Sequence, residues 1–203
     1  MKQAIIVGAS SGLGYELAIQ LAAKGYQLGL MARRESLLEE LQAKLPGEHF
    51  IQVTDVTEAE TSQQRLKDLI ARMGDVELIV LSSGVGLYEK KLDWTLEREM
   101  IDVNVRGFAA LSIVSMDHFM ARGAGHLAGI SSVAAHMSGG LTLTYHATKA
   151  FVSNYLAGMR SRAARSGLPI TITTIEPGFV KTPMVQGNPV WMAPVEKGVA
   201  QMV

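Results

Sequence analysis

Tyr145 and Lys149 have side chains whose types and spacing suit proton transfer. They lie four residues apart in the stretch YHATK, where the chain turns apolar with helical spacing, and residues four apart share one face of a helix. A phenol can donate a proton to an oxygen that gains negative charge, and a nearby ammonium stabilises the phenolate that remains. The alternative is an aromatic packing residue with a lysine stem lying beside it.

The elements that must position this pair follow an alternating pattern. Apolar runs of strand length alternate with segments that have apolar residues three and four apart, which indicates β-α-β alternation. The runs are AIIV, LGLM, FIQV, ELIVL, HLAGI and ITITTI. Near-continuous apolar strands are buried on both faces, so we predict the α/β class: a doubly wound parallel sheet with helices on both faces. At 203 residues we expect a single domain over 1–203.

Composition excludes several functions. Lys plus Arg number 19 and Asp plus Glu 19, so no net field favours nucleic acid or an anionic membrane surface as a partner. The chain has no cysteine, which excludes disulfides and thiol catalysis. The five histidines lack metal-ligand spacing, so we predict no metal. The start of the chain has too few consecutive apolar residues for a signal peptide or a membrane span, and we expect a cytoplasmic protein.

A glycine-rich turn follows the first predicted strand and opens a helix. Glycines here permit a tight turn and let a pyrophosphate approach the backbone, and the amino end of the helix favours negative charge. The residues of this candidate phosphate loop are Gly8, Ser10, Ser11, Gly12, Leu13 and Gly14. The alternative is an ordinary glycine turn in which Ser10 or Ser11 caps the helix.

Three motifs in this order, GASSGLG, YHATK and PGFVKT, resemble the short-chain dehydrogenase/reductase family over essentially the whole chain. The resemblance implies an NAD(P)-dependent oxidoreductase with a Rossmann-type sheet. Hydride reduction of a carbonyl leaves an alkoxide that needs a proton, and Tyr145 is suited to supply it with help from Lys149.

The resemblance adds two further catalytic candidates. Ser132 lies thirteen residues before Tyr145, the family's spacing for the serine that holds and polarises the substrate carbonyl. Ser131 is then structural. Asn104, in MIDVNVRG, is similar to the family's asparagine, which would hold a water chain that reaches Lys149.

The second strand is followed by Ala32, Arg33 and Arg34, where a dinucleotide site reads the ribose. An acidic residue there suits NAD, whereas arginine suits the 2′-phosphate of NADP. Two cations before a helix also oppose its dipole unless an anion binds. We therefore predict NADPH in preference to NADH. The alternative is that the arginines pair with Glu35 or Glu39.

The resemblance implies further dinucleotide contacts at the ends of later strands. They are Asp55 and Val56 after the third strand, Ser83 and Gly84 after the fourth, and Pro177, Gly178, Val180 and Thr182 after the sixth. Tyr145 and Lys149 also belong to the dinucleotide site by this resemblance. An Asx turn before a helix cap at Thr57, in the capping-box sequence TEAE, explains Asp55 equally well. The family has Asn-Ala-Gly where this chain has SSG, so only the glycine matches the family pattern.

A proline-rich stretch without periodicity, about 179–193, is a candidate substrate loop. The residues expected to line the pocket are apolar, so we predict a hydrophobic carbonyl or alcohol as the small-molecule substrate. They are Val133, Met137, Met184, Trp191 and Met192. The family continues through a further strand, so we expect that the chain is incomplete or that this strand is missing.

Two helical segments, FAALSIVSMDHFMARG and AFVSNYLAGMRSRAARSG, carry apolar residues widely around their surfaces. The resemblance implies that such helices pair across a two-fold axis in a homodimer or homotetramer. Two other functions remain open: a dinucleotide-binding sensor without turnover and a nucleotide-sugar epimerase. The sensor would not need the four catalytic candidates, and the epimerases carry a longer C-terminal domain.

Overall fold

Each of the six apolar runs forms a strand in the computed structural model, which describes residues 2–87, 91–182 and 192–203. The strands are β1 (Gln3–Val7), β2 (Gln27–Ala32), β3 (Phe50–Val53), β4 (Leu78–Leu81), β5 (Gly125–Ile130) and β6 (Ile170–Ile175). All pair in parallel in the order β3-β2-β1-β4-β5-β6. The parallel sheet confirms the prediction from the apolar runs.

Helices lie between successive strands, and the last helix follows β6. They are α1 (Gly12–Ala23), α2 (Glu35–Lys44), α3 (Ala59–Met73), α4 (Trp94–Ile101), α5 (Phe108–Arg122), α6 (Leu143–Ser166) and α7 (Val195–Ala200). A π-helical segment, Asp102–Gly107, joins α4 to α5, and a 3-10 turn, Val133–His136, lies between β5 and α6.

Helices cover both faces of the sheet. One core cluster includes buried side chains from α3, α5 and α6, for example Leu66, Phe108 and Leu156, packed with sheet residues. The second includes buried side chains from α1, α2 and α7, for example Leu17, Leu38, Leu41 and Val199. Because each face is buried by its own helices, the fold is the doubly wound Rossmann type that was predicted.

The strand order reverses beside β1. Val7 at the end of β1 pairs with Met31 of β2 on one side and with Leu81 of β4 on the other. The connections from β1 and β4 therefore leave toward opposite faces of the sheet, which opens a crevice at their carboxyl ends. Ligands of open α/β sheets bind in this crevice.

The predicted helix cap at Thr57 is wrong in detail. Helix α3 begins at Ala59 and its N-cap residue, Glu58, makes no side-chain cap. The backbone N–H and hydroxyl of Thr57 instead both donate to Asp55 Oδ1, at 2.9 and 2.8 Å. The charged carboxylate therefore binds the hydroxyl that a capping box would use, and Asp55 forms the Asx turn that was the alternative.

Candidate active site

Tyr145 and Lys149 lie in the first two turns of α6, with the Lys149 Nζ atom 5.7 Å from the centroid of the Tyr145 ring. Their four-residue spacing on one helix face brings the two side chains together, as predicted from the sequence. Burial raises the pKa of the Tyr145 phenol, and interaction with the Ser132 hydroxyl lowers it by a smaller amount. The phenol is therefore neutral at physiological pH.

The Lys149 ammonium is buried at the end of β5. The residue is 5% exposed, and its Nζ atom donates to the backbone carbonyl of Ile130 at 2.9 Å. Burial disfavours the charged amine and lowers the pKa of Lys149 to about 8. Lys149 is therefore mainly protonated at neutral pH, although its pKa lies only about one unit above that pH.

Ser132 and Ser131 have different environments although they are adjacent. The Ser132 Oγ atom accepts from the Ala134 N–H at 3.1 Å and donates to the Pro177 carbonyl at 3.5 Å. The Ser131 hydroxyl instead contacts the Lys149 carbonyl oxygen at 2.9 Å, on the helix side of the strand. Of the two serines, only Ser132 affects the pKa of Tyr145. Ser132 therefore affects the phenol and Ser131 contacts α6, and the division between an active-site serine and a structural one stays a prediction.

Asn104 is 1% exposed and lies within the π-helical segment rather than in a regular α-helix. Its Oδ1 atom accepts from the Val85 N–H at 2.9 Å, and its Nδ2 donates to the Val85 carbonyl at 2.7 Å and to Thr148 Oγ1 at 3.0 Å. A Cβ atom built on Gly84 would lie 3.4 Å from both Asn104 Oδ1 and Lys149 Nζ. Asn104 therefore joins the segment after β4 to the helix that carries Tyr145 and Lys149.

The candidate phosphate loop packs closely against neighbouring backbone. A Cβ atom on Gly8 would lie 2.6 Å from the Ser83 amide nitrogen, and one on Gly14 would lie 2.3 Å from the Gly8 carbonyl oxygen. Neither position has room for a side chain. A Cβ atom on Gly12 would contact the Thr182 side chain at 3.6 Å. The segment after β6 therefore lies beside this loop.

The Arg34 side chain contacts the candidate phosphate loop. Its guanidinium donates to Ser10 Oγ at 2.8 and 3.2 Å and to Ser11 Oγ at 2.7 Å. Ser11 occupies the N-cap position of α1, but its side chain makes no cap hydrogen bond. Within residues 2–87, 91–182 and 192–203, neither Arg33 nor Arg34 forms an ion pair. Neither local alternative, a serine cap or a pair with the glutamates of α2, is therefore formed.

The remaining predicted dinucleotide residues have varied surroundings. Asp55 uses its Oδ1 atom in the Asx turn, and the Val56 side chain is buried in the core. Ser83 Oγ is buried and has no hydrogen-bond partner in the part of the chain that the structure describes. Val180 is also buried.

The predicted pocket is only partly described. Val133 and Met137, at the two ends of the turn that follows Ser132, are 41% and 63% exposed. Met184 and Trp191 lie outside the described residues. The two ends of the proposed loop are joined, since the Ala193 carbonyl accepts from the Lys181 N–H and the Ala193 N–H donates to the Phe179 carbonyl, both at 2.9 Å.

Two polar residues around the site, Thr148 and Glu176, were not predicted from the sequence. Thr148 lies inside the YHATK stretch and contacts Asn104, yet a threonine within a helix carries no distinct signal. Glu176 binds Ser153 and His136. The signal for Glu176 was available, because an acidic residue directly after a buried strand and before Pro-Gly lies at the edge of the sheet where ligands bind.

In the described ranges, no three or more His, Asp or Glu side chains are grouped so that they could hold a metal ion. Nor does any helix in those ranges combine the length and apolar character needed to cross a membrane.

Comparison with known proteins identifies sequence relatives of this chain. Residues 2–192 match the sequence model of the family described as short chain dehydrogenase. An uncharacterized oxidoreductase of Myxococcus xanthus is 35% identical over 193 residues, covering 92% of this chain and 75% of that protein. One from Staphylococcus epidermidis is 31% identical over 189 residues, covering 92% of this chain and 81% of that protein.

Solved structures agree. A short-chain dehydrogenase from Streptomyces avermitilis superposes with a TM-score of 0.88 at 25% identity, over 99% of this chain and 82% of that chain. ElxO, solved with NADP bound, shares the fold at a TM-score of 0.83 and 22% identity, over 91% of this chain and 76% of that chain. The chain therefore belongs to the short-chain dehydrogenase family of oxidoreductases.

Proposed function

We propose that the protein is an NADP(H)-dependent oxidoreductase that interconverts a small aldehyde or ketone and its alcohol. The observation that carries this proposal is the convergence of four side chains at the carboxyl end of the sheet. Tyr145 and Lys149 share one face of α6, Ser132 interacts with the phenol, and Asn104 contacts the same helix through Thr148. A packing role would not require a buried ammonium beside a phenol, because burying an ammonium costs free energy.

The residues present fit a dinucleotide. Glycines line a loop with no space for side chains at Gly8 and Gly14, which supports close approach of a pyrophosphate to the backbone. The Ser83 hydroxyl is buried, has no partner among the described residues and lies next to this loop, so it is available for a ligand hydrogen bond. The proposed contacts after β6 are Pro177, Gly178, Val180 and Thr182, and the Thr182 side chain lies beside Gly12 of the loop.

The preference for NADPH rests on Arg34. The fold alone does not discriminate between the two dinucleotides, because ElxO is solved with NADP and a Brucella melitensis 3-ketoacyl reductase with NADH. Arg34 and the hydroxyls of Ser10 and Ser11 form a cluster of hydrogen-bond donors at the amino end of α1. A 2′-phosphate would find a guanidinium and two hydroxyls there, whereas no carboxylate of α2 neutralises the guanidinium.

Each catalytic side chain has a defined task in this proposal. When bound, the nicotinamide supplies the hydride. Ser132 donates a hydrogen bond to the substrate carbonyl oxygen, and Tyr145 transfers its proton to that oxygen as negative charge develops. The raised pKa keeps the phenol protonated before the reaction, and the Lys149 ammonium stabilises the phenolate afterwards. Asn104 holds the backbone of Val85 and the hydroxyl of Thr148 beside this lysine.

The substrate is proposed to be apolar, since Val133 and Met137 present hydrophobic surface at the ends of the turn that follows Ser132. The proposed assembly is a homodimer or homotetramer through α5 and α6. Ile113 of α5 supports it, because this large apolar side chain is 44% exposed in the monomer.

The test is consumption of NADPH and NADH by the purified protein over a panel of aldehydes and ketones. Tyr145→Phe removes the proton donor and should lower kcat by about 10²–10⁴-fold. Tyr155→Phe is the matched control, because Tyr155 lies on the same helix but packs on Phe151 at 5.2 Å between ring centroids. NADPH binding without turnover would support a sensor, and isomerised product without net dinucleotide consumption would support an epimerase.

A further inference from the structure

We propose that Glu176 is a positioning residue that fixes the three segments carrying the proposed catalytic side chains. The inference rests on the function proposed above. Glu176 follows β6 directly and precedes Pro177. Its two carboxylate oxygens contact different elements: Oε1 accepts from Ser153 Oγ of α6 at 2.6 Å, and Oε2 pairs with His136 Nε2, at the end of the 3-10 turn, at 2.9 Å.

The α6 contact continues to the proposed catalytic lysine. Ser153 Oγ lies 2.7 Å from Ser131 Oγ, which in turn lies 2.9 Å from the carbonyl oxygen of Lys149. Two hydroxyl protons serve these three contacts. Because the contact with a carboxylate is charge-assisted, Ser153 donates to Glu176, and the single Ser131 proton is shared between the Lys149 carbonyl oxygen and the Ser153 oxygen. The carboxylate therefore orients the hydroxyls that join the end of β5 to the backbone of Lys149.

The contact of Glu176 with His136 fixes the turn that follows Ser132. The Ser131 N–H donates to the Ile175 carbonyl at 2.8 Å, and the Val133 N–H donates to the Pro177 carbonyl at 3.1 Å. These two backbone hydrogen bonds flank Ser132 on one segment and Glu176 on the other, so the two residues lie opposite each other. His136 closes the 3-10 turn that begins directly after Ser132, so its pairing with Glu176 holds that turn against the end of β6.

From its position, Glu176 would affect the rate of the reaction without contacting the substrate. The carboxylate contacts the turn after Ser132 and the helix of Tyr145 and Lys149, and its own backbone leads into Pro177. A misplacement of about 1 Å between reacting groups can cost about 10²-fold in rate. The predicted defect is therefore in kcat, whereas the dinucleotide contacts of the phosphate loop are unaffected.

Variants at Glu176 separate hydrogen bonding from charge. Glu176→Ala removes both contacts and should lower kcat about tenfold, with KM for NADPH within about twofold of wild type. Glu176→Gln keeps an acceptor for Ser153, and its amide N–H donates to His136 Nε2 when the neutral imidazole carries its proton on Nδ1, so it should retain kcat within about twofold. Glu40→Ala, an exposed change on α2, is the control. A Glu176→Ala kcat within twofold of wild type would overturn the proposal, as would a Glu176→Gln variant as impaired as Glu176→Ala.

Single contacts can be removed while the carboxylate stays. Ser153→Ala breaks the contact with α6 and His136→Ala breaks the contact with the turn, and each should lower kcat by less than Glu176→Ala. Combined with Glu176→Ala, neither should add its full effect, because the shared partner is already absent. If Glu176→Ala does not fold, these two variants decide, and kcat within twofold of wild type in both overturns the proposal.

Amide hydrogen exchange provides a readout that does not depend on turnover. Glu176→Ala should exchange faster than wild type in the peptide spanning 131–136, whereas Glu40→Ala should not. Unchanged exchange there overturns the positioning role even if no substrate is found. Conversely, wild-type protein that binds NADPH but turns over no substrate refutes the proposed function, while the exchange result still tests Glu176.

Discussion

The Lys149 ammonium donates to the backbone carbonyl of Ile130 at 2.9 Å, so helix α6 is fastened to the last residue of strand β5. Ser131 and Ser132 follow that residue directly. The hydrogen bond therefore relates the helix carrying the phenol to the segment carrying the active-site serine candidate. This relation also places an ammonium in a buried position, and the buried charge has measurable consequences.

Replacement of Lys149 by methionine should change the pH dependence of stability. The pKa of Lys149 is lowered from an ordinary 10.5 to about 8 by burial. At pH 7 the group is protonated in both states and the folded protein bears the cost of a buried charge. Between these two pKa values the unfolded chain binds a proton that the folded chain does not, so this lysine's contribution to stability rises with pH.

The rise between pH 7 and pH 9.5 should amount to about 2 kcal/mol in wild type relative to Lys149→Met, given the pKa of about 8. The measurement is denaturant unfolding of both proteins at the two pH values, without dinucleotide. A constant free-energy difference between them would contradict the buried charge.

Arg34→Ala should weaken NADPH binding selectively. Loss of a guanidinium–phosphate pair should cost about 1.5–3 kcal/mol, which is about ten- to a hundredfold in Kd, while the Kd for NADH should change little. Titration of intrinsic fluorescence with each dinucleotide measures both constants. Arg162→Ala, an exposed arginine on α6, is the matched control. Equal weakening of both dinucleotides would contradict a 2′-phosphate contact.

Gly14→Ala should abolish tight dinucleotide binding. The added methyl group would lie 2.3 Å from the Gly8 carbonyl oxygen, so the loop must shift, and we expect Kd for NADPH to rise at least about tenfold. Gly158→Ala on α6 adds the same methyl group where no atom lies within 4 Å. It should leave Kd unchanged, and equal effects of the two substitutions would refute the role of the close approach.

Ser83→Ala should move stability and affinity in opposite directions. The Ser83 hydroxyl is buried without a partner in the described chain, so its removal should raise the Tm of the dinucleotide-free protein by about 2–4 °C, equivalent to about 1 kcal/mol. Loss of a ligand hydrogen bond should raise Kd for NADPH by about three- to tenfold. Thermal scans and binding titrations measure the two effects, and a fall in Tm would show that the hydroxyl is already satisfied.

The sequence by itself determined the strands, their parallel arrangement and the covering helices, because hydrophobic periodicity is a local property of the chain. It also brought Tyr145 and Lys149 together, since a four-residue spacing on a helix leaves no other geometry. The glycines of the candidate phosphate loop were also evident from the sequence. The structure adds why glycine is needed at Gly8 and Gly14: a side chain at either position would collide with backbone atoms.

Only the tertiary structure decided the side-chain contacts between distant segments. Arg34 binds serines more than twenty residues earlier, and Asn104 contacts Thr148 across 44 positions. Thr57 donates to Asp55 rather than capping α3, because the charged carboxylate is within reach. The contacts of Glu176 with Ser153 and His136 exist only because β6, α6 and the 3-10 turn meet at one edge of the sheet. Such hydrogen bonds depend on the packing of whole elements, which periodicity and spacing do not encode.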